Sequence, residues 1–364
     1  MSRIFRYQDS FRKFIKTKSC IAKIDVDISG KEIQNKLFSM IDSSNNVVGI
    51  LLLTILNNQG KKTKMNVLHG YHIASGLELL LCATMMVDYK KEYYTKFGKN
   101  IVNDILNRIC SYVNISLLNN IELLQDTYTS VNYGKLIKII YTLVKIVNSK
   151  IHKILHMPTF EYEGFITKTD TIKYKFNDMN EAKNKIKKLK KIKKDNLDSF
   201  VSDTYGVVGQ LVLINGWILG GGDDKIIPQL EKMGTQFGYI LKTVQDFLNI
   251  ENDLDNAKIH SKNTIINNGF QISFETFIEN KHKFIEGCIR YNMYTNTVKE
   301  IIDLLEINLD TIIDKSSPDV RSHFTLSNEN SIINLEKNGI ININKTKLNQ
   351  IDNENDYDSE FDEL

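Results

Sequence analysis

Apolar residues recur along most of this chain with the spacing of helices that bury one face. No alternation of apolar and polar residues typical of strands persists, and no internal repeat is found. The pattern therefore predicts an all-α fold. Its expected helices lie at residues 33–56 with a turn-like break at 42–46, 69–87, 101–124, 136–155, 201–222, 226–250, 270–294 and 297–313.

Polar, glycine and proline segments separate these helices. Residues 57–64 are expected to form a polar loop, and Pro158 precedes an aromatic, irregular stretch at 159–178. Gly220, Gly221 and Gly222 are expected to end one helix, with Asp223 or Asp224 capping the next. Beyond residue 318 the pattern dissolves, and we expect the acidic tail to be disordered. The predicted domains are an N-terminal arm (1–32), a helical domain (33–316) and an acidic tail (317–364).

The segment 181–194 contains many lysines, with Ile186, Leu189 and Ile192 at helical spacing. One interpretation is a basic amphipathic helix that touches phosphates or an anionic membrane. The other is a solvated helical face with a narrow apolar seam. We favour the solvated face, because no aromatic residues are interleaved for nucleic-acid stacking, and no nucleic-acid partner is expected.

Composition narrows the class of protein further. The 364 residues carry a formal net charge of +3, and only 3 prolines occur, which favours long uninterrupted helices. The 4 cysteines form no CxxC pair, so neither a zinc site nor a disulfide framework is indicated. No secretory signal or transmembrane segment is expected. We predict a soluble, cytoplasmic protein, and the abundance of Asn, Ile and Lys favours an A/T-rich genome such as that of a large DNA virus or a protist.

Candidate chemistry is concentrated between residues 202 and 264. Gly206, Gly209 and Gly216 interrupt an apolar helix, where glycine costs about 1 kcal/mol relative to alanine, which indicates close packing or space for a ligand. On the next predicted helix, Gln245 and Asn249 share a face, and Asp246 lies beside them. Inward-facing polar groups at these positions would need partners or a ligand.

These features resemble the C-terminal half of the trans-isoprenyl diphosphate synthases, the farnesyl and geranylgeranyl diphosphate synthase family. That family has a Lys-Thr-bearing helix, a glycine-rich stop, and a helix with the pattern Gly-x-x-Phe-Gln-x-x-Asp-Asp-x-x-Asp, followed by a lysine-containing loop. Here residues 238–249 (GYILKTVQDFLN) fall on the aspartate-rich pattern. The stretches 217–222 and 256–262 resemble viral members of the family in particular. The resemblance implies an isoprenoid synthase bundle that ionises an allylic diphosphate with Mg²⁺ held by two facing aspartate-rich motifs.

The positions that carry this chemistry in the family differ here. The second motif keeps Asp246 as its only carboxylate, flanked by Gln245 and Asn249, and Asp203 stands where the family has lysine. Amides in place of carboxylates preserve hydrogen bonding but remove the charge that holds Mg²⁺.

The N-terminal half matches more faintly. Its first motif falls on Asn119, Asn120, Glu122 and Leu123, without a carboxylate at any ligand position. Only a shift of one helical turn would let Glu122 or Asp126 serve as a ligand, which leaves Asp246 and Asp126 as metal candidates.

Three basic side chains are candidate diphosphate contacts by the resemblance alone. His72 falls in the segment of the Gly-Lys-Arg diphosphate grip, and Lys258 and Lys262 lie in the loop after the second motif. Taken by themselves, the two lysines are ordinary surface residues and His72 is a structural histidine. Because the chain is rich in asparagine, Asn119 and Asn120 can also be explained by the composition of the genome, without a functional site.

Three functions stay open at this point. The favoured one is a catalytically impaired homologue that acts as a non-catalytic subunit or as a prenyl or diphosphate-binding protein, without a cofactor. The second is an active synthase that uses Mg²⁺ and a rearranged metal site. The third is a structural or virion-associated scaffold. Since family members usually dimerise, we expect a homodimer or a heterodimer with another prenyl synthase subunit.

Overall fold

The structure is a computed structural model, and it describes residues 3–23, 28–60, 65–127, 133–155, 162–163, 191–256 and 262–314. The chain divides into two compact units. The first unit comprises Met1–Thr159, Asp198–Tyr239 and Asn296–Ile301. The second comprises Phe160–Leu197, Ile240–Thr295 and Ile302–Leu364. The predicted boundaries of the arm, the helical domain and the tail stay predictions, and the tail lies outside the described residues.

The described residues are almost entirely helical, which confirms the all-α prediction. The helices are α1 (Arg3–Thr17), α2 (Ile28–Ser43), α3 (Val47–Gly60), α4 (Tyr71–Asp88), α5 (Lys90–Phe97), α6 (Lys99–Thr127), α7 (Tyr133–Leu155), α8 (Lys194–Val201), α9 (Val207–Leu219), α10 (Ile227–Asn256), α11 (Thr264–Asn268), α12 (Phe270–Arg290) and α13 (Asn296–Asp314). A 3₁₀ turn, Val67–Gly70, leads into α4, and a π-helical turn, Ser202–Gly206, joins α8 to α9. Two short strands, β1 (Tyr162–Glu163) and β2 (Lys191–Ile192), pair antiparallel.

Two local predictions are wrong. The polar stretch at 57–64 was expected to be a loop, but α3 continues through Asn57 to Gly60. The lysine-rich segment was expected to be helical, yet its end at Lys191 and Ile192 is a strand, and Ile192 is buried. The backbone amide of Ile192 donates to the Asn267 side chain at 2.7 Å, so this end is held by tertiary contacts. Residues 181–190 lie outside the described residues.

The first unit is built around α3, α4 and α9, whose side chains are almost all buried. Helical glycines allow these backbones to approach closely. A Cβ atom on Gly209 would lie 2.1 Å from the carbonyl oxygen of Gly234 on α10, and one on Gly216 would lie 2.8 Å from that of Leu52 on α3. The glycines of α9 therefore serve helix packing, one of the two explanations that their sequence pattern allowed.

The glycine-rich stop after α9 forms as predicted. Gly221 has a φ of 86°, a left-handed conformation that favours glycine. The Asp223 side chain accepts from the amide of Lys225 and caps the 3₁₀ turn Asp224–Ile226, which leads into α10.

One helical stretch of the described residues, Val67–Asp88, is long and apolar enough to cross a membrane. Within its apolar window 89% is buried inside the protein, as in the core helix of a soluble protein. The bent pair Gly30–Ser43 and Val47–Gly60 passes the same test only if it is taken as one broken span.

The second unit contains the C-terminal half of α10 together with α11, α12 and most of α13. Phe247 on α10 packs edge-on against Phe270 at the start of α12, with ring centroids 6.3 Å apart. An ion pair between Lys281 and Glu306 joins α12 to α13. This unit holds the segment that carries the second predicted motif.

Candidate functional site

The two predicted motifs lie in different units. Asn119, Asn120, Glu122 and Leu123 belong to α6 of the first unit, and Gln245, Asp246 and Asn249 belong to the part of α10 in the second unit. Asn120 and Asp246 each have hydrogen-bond partners within their own unit.

Asp246 is completely buried, and both of its carboxylate oxygens are engaged. Oδ1 accepts from the Lys242 ammonium at 2.6 Å, one helical turn earlier, and that side chain is also completely buried. Oδ2 accepts from the backbone amide of Thr264 at 2.8 Å and from its hydroxyl at 2.6 Å. The charge of Asp246 is therefore balanced by a lysine of its own helix, and its second oxygen holds the start of α11.

Asn263 completes this polar group. Its Nδ2 donates to the backbone oxygen of Asp246 at 2.9 Å and to the Asp253 carboxylate at 2.7 Å. Its Oδ1 accepts from the amide of Ile265 at 2.9 Å, which caps α11. Lys242, Asp246, Asn263 and Thr264 together, called here the Lys242–Asp246 cluster, fix the return of the chain after α10 against that helix.

The Lys242–Asp246 cluster does not fit a magnesium ion. Mg²⁺ requires near-octahedral oxygen ligands, several of which are usually water. The Asp246 carboxylate is closed to water, and an ammonium group lies 2.6 Å from one of its oxygens. A dication at that position would face the lysine charge directly. Asp246, predicted as a metal candidate, is thus a structural ion-pair partner in this structure.

The other two positions of the second motif are neutral and half-buried. Asn249 donates from Nδ2 to the backbone oxygen of Gln245 at 2.9 Å, within the same helix. Lys262 is half-buried, and Lys258 lies outside the described residues. Gln245 and Asn249 add no charge to the candidate site.

Asn120 of the first motif braces two helices. It is 1% exposed, and its Nδ2 donates to the backbone oxygen of His69 at 2.8 Å. Its Oδ1 accepts from the amide of Ile73 in the first turn of α4 at 3.4 Å, so α6 supplies a cap to α4. Asn119 is half-buried, while Glu122 and Leu123 are exposed. The side chain of Asp126, the other metal candidate, lies outside the described part of the structure.

His72 is held in its neutral form. Burial, followed by the charge of Lys23, lowers its pKa to about 4. Its ring meets Phe14 edge-on at 4.9 Å between centroids, and among the described residues no atom pairs with its buried Nδ1. A neutral imidazole supplies no positive charge to a diphosphate near pH 7.

Asp203 lies in the π-helical turn Ser202–Gly206. Its carboxylate pairs with the Lys153 ammonium of α7 at 3.0 Å, and both side chains are about half exposed. The neighbouring Thr204 hydroxyl donates to the backbone oxygen of Phe200 at 2.5 Å. The position that carries lysine in the resembling family thus carries the opposite charge here, paired with a lysine from another helix.

The residue that the sequence analysis missed is Lys242. It falls on the glutamine of the Gly-x-x-Phe-Gln-x-x-Asp-Asp-x-x-Asp pattern and lies four residues before Asp246. Oppositely charged residues at this spacing share a helix face, so a lysine in an apolar run was the available signal.

Among the side chains that the structure describes, no group of three or more His, Cys, Asp or Glu residues is placed to hold a metal ion. Asn120 and Asn249 bond to backbone groups, and Asp246 bonds to Lys242 and Thr264.

Comparisons with known proteins give similarity at the level of solved structures. No protein-family model matches the chain, and no curated protein matches it. A geranyltranstransferase from Thermotoga maritima is similar with a TM-score of 0.49 and 10% identity, over 85% of this chain and 98% of that chain. A geranylgeranyl pyrophosphate synthase is similar with a TM-score of 0.44 and 11% identity, over 93% of each chain.

Proposed function

We propose that this protein is a catalytically impaired homologue of the trans-isoprenyl diphosphate synthases, with their helical bundle, and that it acts as a non-catalytic subunit or binding protein. The observation that carries the proposal is the buried ion pair between Lys242 and Asp246. It engages the one carboxylate that remains at the second motif. The family named in this proposal comes from the sequence resemblance at residues 202–264, which includes a likeness to viral members.

The partners of the other motif residues support the same proposal. The side chain of Asn120 forms hydrogen bonds with the backbone of His69 and Ile73. His72 is neutral and offers no positive charge to a diphosphate. Ionisation of an allylic diphosphate requires stabilisation of the negative charge that develops on the leaving group. The one lysine and the one carboxylate of the second motif, Lys242 and Asp246, are paired with each other.

The partner in this proposal is a second copy of the chain or another prenyl synthase subunit. Two large apolar side chains of α6, Ile115 and Leu118, are 42% and 57% exposed and lie three residues apart on one face. Exposed apolar side chains that cluster on a helix are typical of protein interfaces. The proposal places the protein in the cytoplasm.

The test of impaired catalysis is a prenyl transfer assay. Purified protein is incubated with Mg²⁺, isopentenyl diphosphate and an allylic diphosphate, beside the double variant Lys242→Met, Asp246→Asn, which buries no unpaired charge. We expect neither protein to form longer prenyl diphosphates above the protein-free background. Product formation by the unaltered chain at an ordinary enzymatic rate would refute the proposal, and its loss in the folded double variant would assign that activity to the second motif.

A further inference from the structure

Glu78 of α4 is completely buried beside the turn that joins α2 to α3. Its Oε1 accepts from the backbone amide of Gly49 at 2.7 Å, and its Oε2 lies 2.9 Å from the Ser44 hydroxyl. Among the described residues, no lysine or arginine pairs with it. The helices α3 and α9, which pack against α4, contain no charged residue. An ionised Glu78 would therefore be a buried charge without a cation, which is costly.

The hydrogen bonds around Ser44 fit a Glu78 that carries a proton. The single hydroxyl proton of Ser44 lies between two acceptors, the backbone oxygen of Ile41 at 2.8 Å and Glu78 Oε2 at 2.9 Å, and it can be donated to only one of them. When it is donated to Ile41, a protonated Glu78 completes the second bond by donating to the Ser44 oxygen. In agreement with this geometry, burial raises the pKa of Glu78 to about 7, against the lowering effect of its hydrogen bonds.

Helix α1 is attached to the same turn. Gln8 donates to the backbone oxygen of Asn45 at 2.8 Å, and Arg12 donates to the side chain of Asn46 at 2.9 Å. Both asparagines have a φ of 56°, a left-handed conformation that is uncommon for residues other than glycine. The bonds from α1 therefore depend on a turn that other contacts must hold in its conformation.

The ring of Phe11 closes the junction from the side of α1. A Cβ atom on Gly49 would lie 2.4 Å from this ring and 3.4 Å from the Cγ atom of Glu78, so the three residues are in close contact. Phe11 is completely buried. Water that hydrates the carboxylate from this side would have to displace the ring, and α1 with it.

The charged side chains of α1 and α2 at this turn pair with each other. Arg12 lies 3.8 Å and Lys16 lies 3.1 Å from the Asp42 carboxylate. On α4, the Cys82 thiol is one turn after Glu78 and stays neutral, because burial raises its pKa. Glu78 is therefore the group of this junction whose charge changes near neutral pH.

We propose that the junction of Glu78 with the turn between α2 and α3 is a proton-dependent switch, which holds α1 in place while Glu78 carries a proton and releases α1 when that proton passes to water. The ionised carboxylate is stabilised by hydration, which the closed junction does not allow, so that opening and loss of the proton are linked. Because Glu78 occupies none of the motif positions, this inference does not depend on the proposed function.

The direction and size of the effect follow from the two pKa values. An open junction gives Glu78 its ordinary pKa of 4.5, whereas the closed junction raises the pKa to about 7. The closed state is therefore fully favoured below about pH 4.5, and the equilibrium constant for opening rises with pH until it levels off above about pH 7. Between about pH 5.5 and 7.5, Glu78 alone should increase this constant about 25-fold.

The test is hydrogen–deuterium exchange of the full chain, followed by mass spectrometry, beside the variant Glu78→Gln. Exchange rates of peptides from α1 and from residues 44–49 are divided by the intrinsic rates at each pH. The ratio of the opening constants, unaltered chain over Glu78→Gln, should rise about 25-fold between about pH 5.5 and 7.5. His72 also titrates in this region, but it is present in both proteins and cancels in the ratio. Because the opening is local, α1 should exchange at least about tenfold faster than α9 of the same unit.

Two further variants complete the test. Glu92→Gln removes an exposed carboxylate of α5 and should keep the opening constant within about twofold of the unaltered chain at each pH. His72→Gln keeps Glu78 and removes the opposing titration, so its opening constant should rise about 25-fold without a reference variant. This measurement decides the matter if Glu78→Gln does not fold.

Three results would overturn the proposal. The first is the same pH dependence of α1 exchange in the unaltered chain and in Glu78→Gln. The second is a flat pH dependence in His72→Gln. The third is exchange of α1 that is no faster than that of α9, which would show that Glu78 acts on global unfolding alone.

Discussion

Replacing Lys242 by methionine should destabilise the protein strongly. The substitution keeps most of the side-chain volume but removes the cation that balances Asp246, and both side chains are completely buried. A buried charge that loses its partner costs about 3–5 kcal/mol, and we expect a loss in this range from the free energy of unfolding. The two bonds from Thr264 to the other oxygen remain but bring no positive charge.

Urea unfolding followed by circular dichroism measures this loss, and one other lysine provides the control. Lys283 forms an ion pair with Glu279 at the same i, i+4 spacing, but the two side chains are 51% and 63% exposed. Lys283→Met should therefore change the free energy of unfolding by no more than about 0.5 kcal/mol. The double variant Lys242→Met, Asp246→Asn should recover most of the loss, because the amide oxygen still accepts from Thr264 and no net charge is buried. Equal effects of Lys242→Met and Lys283→Met would refute the assignment of Lys242–Asp246 as a tightly coupled buried pair.

Gly238→Ala should lower the free energy of unfolding in urea by about 1–3 kcal/mol, because its Cβ would lie 2.4 Å from the backbone nitrogen of Gly206. As a control, the Cβ of Gly206→Ala would meet no atom nearer than 3.3 Å, so this variant should be close to neutral. Burial raises the pKa of Glu78 to about 7. The contribution of Glu78 to stability, measured against Glu78→Gln, is therefore full below about pH 4.5 and is lost, by about 3 kcal/mol, as pH rises through 7. A difference between the two proteins that does not depend on pH would contradict this. His72 should have the opposite pH dependence, since its lowered pKa contributes stability above about pH 6.5 that is lost as pH falls through 4. In thermal melts, His72→Gln should reduce the fall of the melting temperature between these pH values. Asn120→Ala should lower the free energy of unfolding by about 1–3 kcal/mol by leaving two backbone groups without their partner, and a neutral result would contradict its bracing role.

The sequence predicts the helices of this chain better than their ends. The long apolar faces of α6 and α7, and the cap at Asp223, follow from local periodicity and capping chemistry. The polar end of α3 was expected to be a loop because Asn57, Asn58 and Gly60 have low helix propensity. Close tertiary packing holds this turn, since a Cβ on Gly220 would lie 2.5 Å from the Cβ of Gln59 and 3.2 Å from the backbone nitrogen of Gly60.

The motif positions could be found from the sequence, but the partners of their side chains could not. The pattern located Asp246 and identified the amides beside it. Which atoms Asp246 contacts depends on how the chain returns after α10, where Thr264 supplies two donors. For Asn120, the brace depends on how α6 packs on α4, which no local pattern encodes.

The residues at the second motif positions are related through charge. A carboxylate taken out of water needs a positive partner, which Mg²⁺ supplies to the aspartate-rich motifs of the resembling family and which Lys242 supplies here. One ammonium balances the one completely buried carboxylate, and the neutral amides of the half-buried Gln245 and Asn249 add no charge beside this pair. Placing aspartate at both positions while Lys242 stays in place should leave Asp246 in its buried ion pair, because its partner lies one turn earlier on the same helix face.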